Sequence, residues 1–135
     1  MRATARRVDG YIHDVEVDGH SLRVDEPEDE GGTNTAPSPT RLLTASLASC
    51  TSMTIVMYAD RKGWDVGDIE VTAEFERPPA GETAQFDVTV RLPSSLSEEQ
   101  VERIMVIAAK CPVHRTLVGE VVVNDRAETL QPDSG

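Results

Sequence analysis

The chain has 135 residues, 13 of them basic and 24 acidic, for a formal net charge of −11. That length fits a single domain over 1–135, and that charge argues against nucleic acid and against membrane surfaces as partners. Apolar residues make up 39% and fall in periodic segments, so the chain is not disordered.

Aromatics are only 4%, so the core is expected from Leu, Val, Ile, Met and Ala. Such a core is thin for a lone monomer and favours an oligomer. The cations are 11 Arg and two Lys, Lys62 and Lys110. This suits either a salt-adapted protein or a GC-rich genome.

Met1 to Asp9 is basic with no apolar stretch behind it, so no secretory signal is expected and a cytoplasmic location is the default. Residues 1–25 read as an N-terminal hairpin. Tyr11, Val15, Val17, Leu22 and Val24 alternate with polar residues around the turn signal Asp18-Gly19. Glu26 to Asn34 is acidic and Gly-rich, and reads as a loop. Ser38 can cap a helix whose first residue is Pro39, and Gly63 stops it after Lys62. This helix over 39–62 is apolar or small on nearly every face, which predicts a central position. Its uncharged run, Leu42 to Ala59, is long enough to approach a membrane span. Six Ser and Thr hydroxyls in that run favour burial in protein instead.

Ile69 to Phe75 and Phe86 to Leu92 alternate as a second hairpin. Ser97-x-x-Gln100 is a capping box that opens a helix carrying Val101, Ile104, Met105 and Ala108. Pro112 closes or kinks it, and a short helix to about Val118 follows, ended by Gly119. Glu120 to Asn124 reads as a last strand, and 126–135 as a frayed tail. The class is α+β.

Two cysteines stand out. Cys50 sits mid-helix in Ser49-Cys50-Thr51-Ser52, and Cys111 opens Cys111-Pro112-Val113-His114, 61 residues later. Buried apolar filler is the ordinary role for such residues in a reducing compartment. At the cap of a helix starting at Pro112, however, Cys111 would meet free N–H groups. Around Cys50 the helical neighbours are mostly apolar, so burial should raise its pKa and reactivity would need a cation. His114 is either a general base or a structural histidine. There is no second metal-ligand pair, no Cys-x-x-Cys and no phosphate-binding loop, so no metal and no cofactor are expected.

Gly31-Gly32-Thr33-Asn34, Pro37-Ser38-Pro39, Leu42-Leu43 and Ala48-Ser49-Cys50-Thr51-Ser52-Met53-Thr54 closely resemble the OsmC/Ohr family of peroxide-defence proteins. Tyr58-Ala59-Asp60-Arg61-Lys62-Gly63-Trp64 and Cys111-Pro112-Val113-His114-Arg115-Thr116-Leu117 resemble its OsmC-like subgroup. The likeness runs from about Asp25 to Val123. It implies an intertwined homodimer with the cysteine-bearing helices at its centre. It also implies thiol-dependent reduction of organic hydroperoxides, in which Cys50 is oxidised to a sulfenic acid and Cys111 resolves it to a disulfide. An external dithiol, of lipoyl type in the Ohr branch, would then reduce that disulfide.

One departure is plain. The family carboxylate that positions an activating arginine falls at Thr40 or Arg41 here. Arg7 in the first hairpin, then Arg41, are the arginines that could activate Cys50; solvated surface charge is the other reading of both. Two alternatives to the peroxidase stay open. One is an OsmC-fold dimer with weak or no peroxidase activity that binds a hydrophobic ligand or serves a structural role under stress. The other is a cysteine hydrolase using Cys50 and His114, for which the sequence offers no oxyanion-hole signal.

Overall fold

The computed structural model describes residues 1–131. Three antiparallel strands, β1 (Ala3–Asp9), β2 (Ile12–Val17) and β3 (His20–Val24), form a sheet in the order β1-β2-β3. The expected hairpin over 1–25 is thus a three-stranded meander. Its second turn is the one Asp18-Gly19 predicts, with φ of 44° and 87°, so Val17 faces His20. The first turn, at Gly10 (φ 56°), adds a strand that the alternation from Tyr11 onward did not reveal. Among the described residues the meander makes no substantial contact with the helices or the second sheet.

The loop after β3 folds around Asp25, which is buried. Its carboxylate accepts the Thr33 hydroxyl (2.6 Å) and N–H (3.1 Å), the Thr35 hydroxyl (3.0 Å) and N–H (3.2 Å), and the Glu26 N–H (2.8 Å). The Thr33 hydroxyl foremost, against the cost of burial, holds this carboxyl well below the usual carboxylate range. Gly32 closes the loop where a Cβ would overlap the Glu26 carbonyl.

Helix α1 (Pro39–Lys62) has the ends its sequence announces, with Pro39 in the first turn and Gly63 left-handed (φ 71°) beyond the last. One local expectation is corrected. Ser38 is the N-cap by position, but its hydroxyl bonds no helix N–H. It accepts the Arg41 guanidinium at 2.9 Å instead.

Strands β4 (Glu70–Phe75) and β5 (Phe86–Arg91) pair antiparallel, with Phe75 stacked on Phe86 at 4.2 Å between ring centroids. Helix α2 (Glu98–Ala108) starts at the full Ser97/Gln100 capping box, and α3 (Pro112–Val118) follows directly. Helix α1 packs against β4, β5, α2 and α3. The core is Ile55, Ala59, Val66, Ile104 and Ala108, flanked by Val56, Trp64, Ile69, Val90, Leu92 and Leu96. The fold is α+β.

Two further expectations need correction. Helix α1 is not covered on every face within one chain, since Met53 and Met57 are each 60% exposed. The strand expected at Glu120–Asn124 is not formed; the described residues after Gly119 contain no helix or strand. Val121, Val122 and Val123 have the β propensity but pair with no strand in the chain, and an unpaired strand leaves its backbone groups to water. Of the frayed tail expected over 126–135, residues 132–135 lie outside the described residues.

Candidate active site

Helix α1 holds Cys50 near its middle, half-buried, while Cys111 is fully buried at the start of α3. Both thiols are free. Pro112 fixes the first turn of α3, and Cys111 takes the cap position as its sequence predicts. The Cys111 sulfur accepts the His114 N–H at 3.2 Å. Thr51, one residue beyond Cys50, brings its hydroxyl to 3.8 Å from the same sulfur. The packing of α3 on α1 thus makes neighbours of two cysteines far apart in sequence.

Burial pushes the Cys50 thiol above its ordinary value, and Cys111 adds to this through hydrogen bonding and charge. The Val113 N–H, in the first turn of α3, and the Thr54 hydroxyl act in the opposite direction. One chain therefore brings two thiols together, with no cation among the main influences on Cys50.

The two arginines singled out in the sequence lie elsewhere. Arg7 is exposed on β1, with its Nε donating to the Gly10 carbonyl at 2.8 Å. Arg41 lines a polar cavity of about 330 Å³ at the start of α1, with Glu30, Thr40, Thr44, Glu76 and Arg77. There Arg77 pairs with Glu30 at 3.2 Å. Thr40, at a position where the family pattern has a carboxylate, shares this cavity with Glu30. Arg41 itself donates to the Ser38 hydroxyl at 2.9 Å, and no ion pair joins it to a carboxylate among the described residues.

On the other side of the cysteine cap, two grooves adjoin. One, of about 240 Å³, is lined by Leu47, Ala84, Phe86, Val88, His114, Leu117 and Val118. The other, of about 190 Å³, is lined by Thr51, Phe86, Val88, Val90, Met105, Ala108, Ala109 and His114. Sequence reading placed His114 near a helix start but gave no sign of these walls.

A helix bearing one thiol, capped against a short helix bearing another, on an α+β frame with two antiparallel sheets, defines a class of paired-cysteine proteins. Residues 32–124 match the sequence profile of the OsmC-like proteins, and the chain belongs to that family. Its fold is similar to that of an OsmC-like protein from Mycoplasma pneumoniae, with a TM-score of 0.74 and 21% identity over 87% of this chain and 86% of that one. The organic hydroperoxide resistance protein OsmC of Legionella pneumophila gives 0.64 and 26% over 87% and 88%. An organic hydroperoxide resistance protein from Elizabethkingia anophelis gives 0.68 and 21% over 87% and 86%. No curated protein matches the sequence. Family membership, with relatives that carry this name, supports a stress-related role.

Proposed function

We propose that the protein reduces organic hydroperoxides with Cys50 and Cys111, as a homodimer in the cytoplasm. The observation that carries this reading is the meeting of two free thiols from separate helices, where Thr51, next to Cys50, reaches the Cys111 sulfur at 3.8 Å. The Cys50 thiolate attacks one oxygen of the peroxide bond. An S–O bond forms, the O–O bond breaks, and the alkoxide takes a proton and leaves as the alcohol. The Cys111 thiolate then attacks the Cys50 sulfenic acid. An S–S bond forms, the S–O bond breaks, and the oxygen leaves as water. An external dithiol, of lipoyl type in this reading, returns both thiols. No metal or cofactor enters these steps.

The missing cation is assigned to the second copy, with Arg7 first and Arg41 second. Two features support a dimer: the exposed apolar face of α1 at Met53 and Met57, and a meander that, among the described residues, makes no substantial contact with the helices or the second sheet. One observation favours a second reading, a dimer that binds a hydrophobic ligand without efficient turnover. Burial raises Cys50, and no cation is among the main influences on it.

The test is titration of free thiols with an organic hydroperoxide. Loss of both thiols per chain for each equivalent consumed supports the reductase. Thiols that persist under excess hydroperoxide overturn it in favour of the binding protein.

A further inference from the structure

The two grooves beside the cysteine cap share three walls, Phe86, Val88 and His114. Each alone falls short of the roughly 300–1,000 Å³ typical of small-molecule sites, while the two as one groove come within it. Leu47, Val88, Val90, Met105, Leu117 and Val118 make the lining apolar. No Asp or Glu is among the lining residues, in a chain that carries 24 of them. The only ionisable side chain in the lining is His114, and it borders both halves. Its backbone N–H is already engaged by the Cys111 sulfur. Among the described residues its ring has no hydrogen-bond partner, whereas the His13 ring is held by the Tyr11 carbonyl at 2.7 Å. Exposed Lys110 and Arg115 stand on either side of it in sequence.

An apolar cleft whose single ionisable group is a basic one complements an anion with an apolar body. An oxygen of that anion gives the ring an acceptor, and the walls remove the rest of the molecule from water. We propose that this groove binds a small organic carboxylate, alkyl or aryl, with the His114 ring donating to the carboxylate and Phe86, Val88 and Leu117 enclosing the apolar body. The inference goes beyond the redox reading and stands apart from it, because binding consumes no thiol.

The experiment is calorimetric titration of the full-length protein with 4-phenylbutyrate and with its neutral amide. His114→Leu is titrated in parallel, and the His114 ring is followed by NMR. The acid is expected to bind at least about tenfold more tightly than the amide, the size of one charge-assisted hydrogen bond, and to shift the His114 ring resonances. In His114→Leu the acid is expected to fall to the affinity of the amide, which itself changes little. Should that variant not fold, His114→Gln replaces it, and the preference for the acid is expected to shrink. Equal affinity for acid and amide in the native protein, a preference that survives the substitution, or binding of neither overturns the proposal. Thiol titration with hydroperoxide decides the redox reading separately.

Discussion

The Thr51 hydroxyl lies 3.8 Å from the Cys111 sulfur and joins the helix that carries Cys50 to the cap of α3. Since the same sulfur accepts the His114 N–H, Cys111 combines a structural cap with a thiol beside Cys50. The two roles separate by substitution. Cys111→Ser keeps an oxygen that can cap the helix, while Cys111→Ala keeps none. The Ala variant is expected to be less stable than the Ser variant by about 1 kcal/mol, the size of a helix cap, read by urea denaturation. Under peroxide, the Ser variant is expected to accumulate Cys50 sulfinic and sulfonic acids in mass spectra, because nothing traps the sulfenic acid. Unmodified Cys50 in that variant contradicts a resolving role for Cys111.

The missing charge is testable in the Cys111→Ser background by the pH dependence of Cys50 alkylation. Burial raises Cys50, and the restoring charge is assigned, as proposed above, to an arginine of the second copy. Arg7→Ala is expected to move the alkylation midpoint upward by about one pH unit, equivalent to about 1.4 kcal/mol, and Arg41→Ala by less. A parent that already titrates at or above the ordinary cysteine value, with neither variant moving it, favours the binding-protein reading.

Asp25 predicts a pH dependence of stability. Its carboxyl lies below the usual range in the folded chain, chiefly through the Thr33 hydroxyl, and near 3.9 when unfolded. The stabilisation is therefore fully present above about pH 4 and is lost as pH falls through the folded-state value. Asp25→Asn is expected to melt at a lower temperature than the parent near pH 7, with the gap closing under acid. Thermal scans from pH 7 to pH 3 read this, and a gap that widens under acid contradicts it.

The dimer predicts a solution mass of twice the 14.7 kDa of one chain, read by light scattering at micromolar concentration. Charging the exposed face of α1 by the double substitution Met53→Glu and Met57→Glu is expected to yield monomers. A monomeric native protein removes the source assigned to the activating arginine.

Much of the frame was legible because its signals are local. Pro39 and Gly63 bracket α1, Ser97 and Gln100 open α2, and Pro112 both ends one segment and starts the next. What escaped was non-local. The meander gained β1 through a turn at Gly10 that the alternation after Tyr11 does not announce. The hydroxyl of Ser38 went to Arg41, because a guanidinium one turn away is a stronger partner than a helix N–H. Val121 to Val123 have strand propensity, but a strand needs a neighbour to accept its hydrogen bonds. At the site, the cap role of Cys111 followed from Pro112, whereas nothing in the spacing of Cys50 and Cys111 says that they meet; only the family resemblance did. Asp25 falls at the end of the segment read as a hairpin, and nothing local marks it, since its partners Thr33 and Thr35 return to it only once the following loop has closed.

The most direct measurement of the central claim is a peptide map of the native protein after one equivalent of organic hydroperoxide, with the released alcohol quantified alongside. The account predicts a single intramolecular Cys50–Cys111 disulfide and one alcohol per disulfide, both reversed by a dithiol. Intact thiols with hydroperoxide unconsumed, or a disulfide that joins two chains in place of this one, would contradict it.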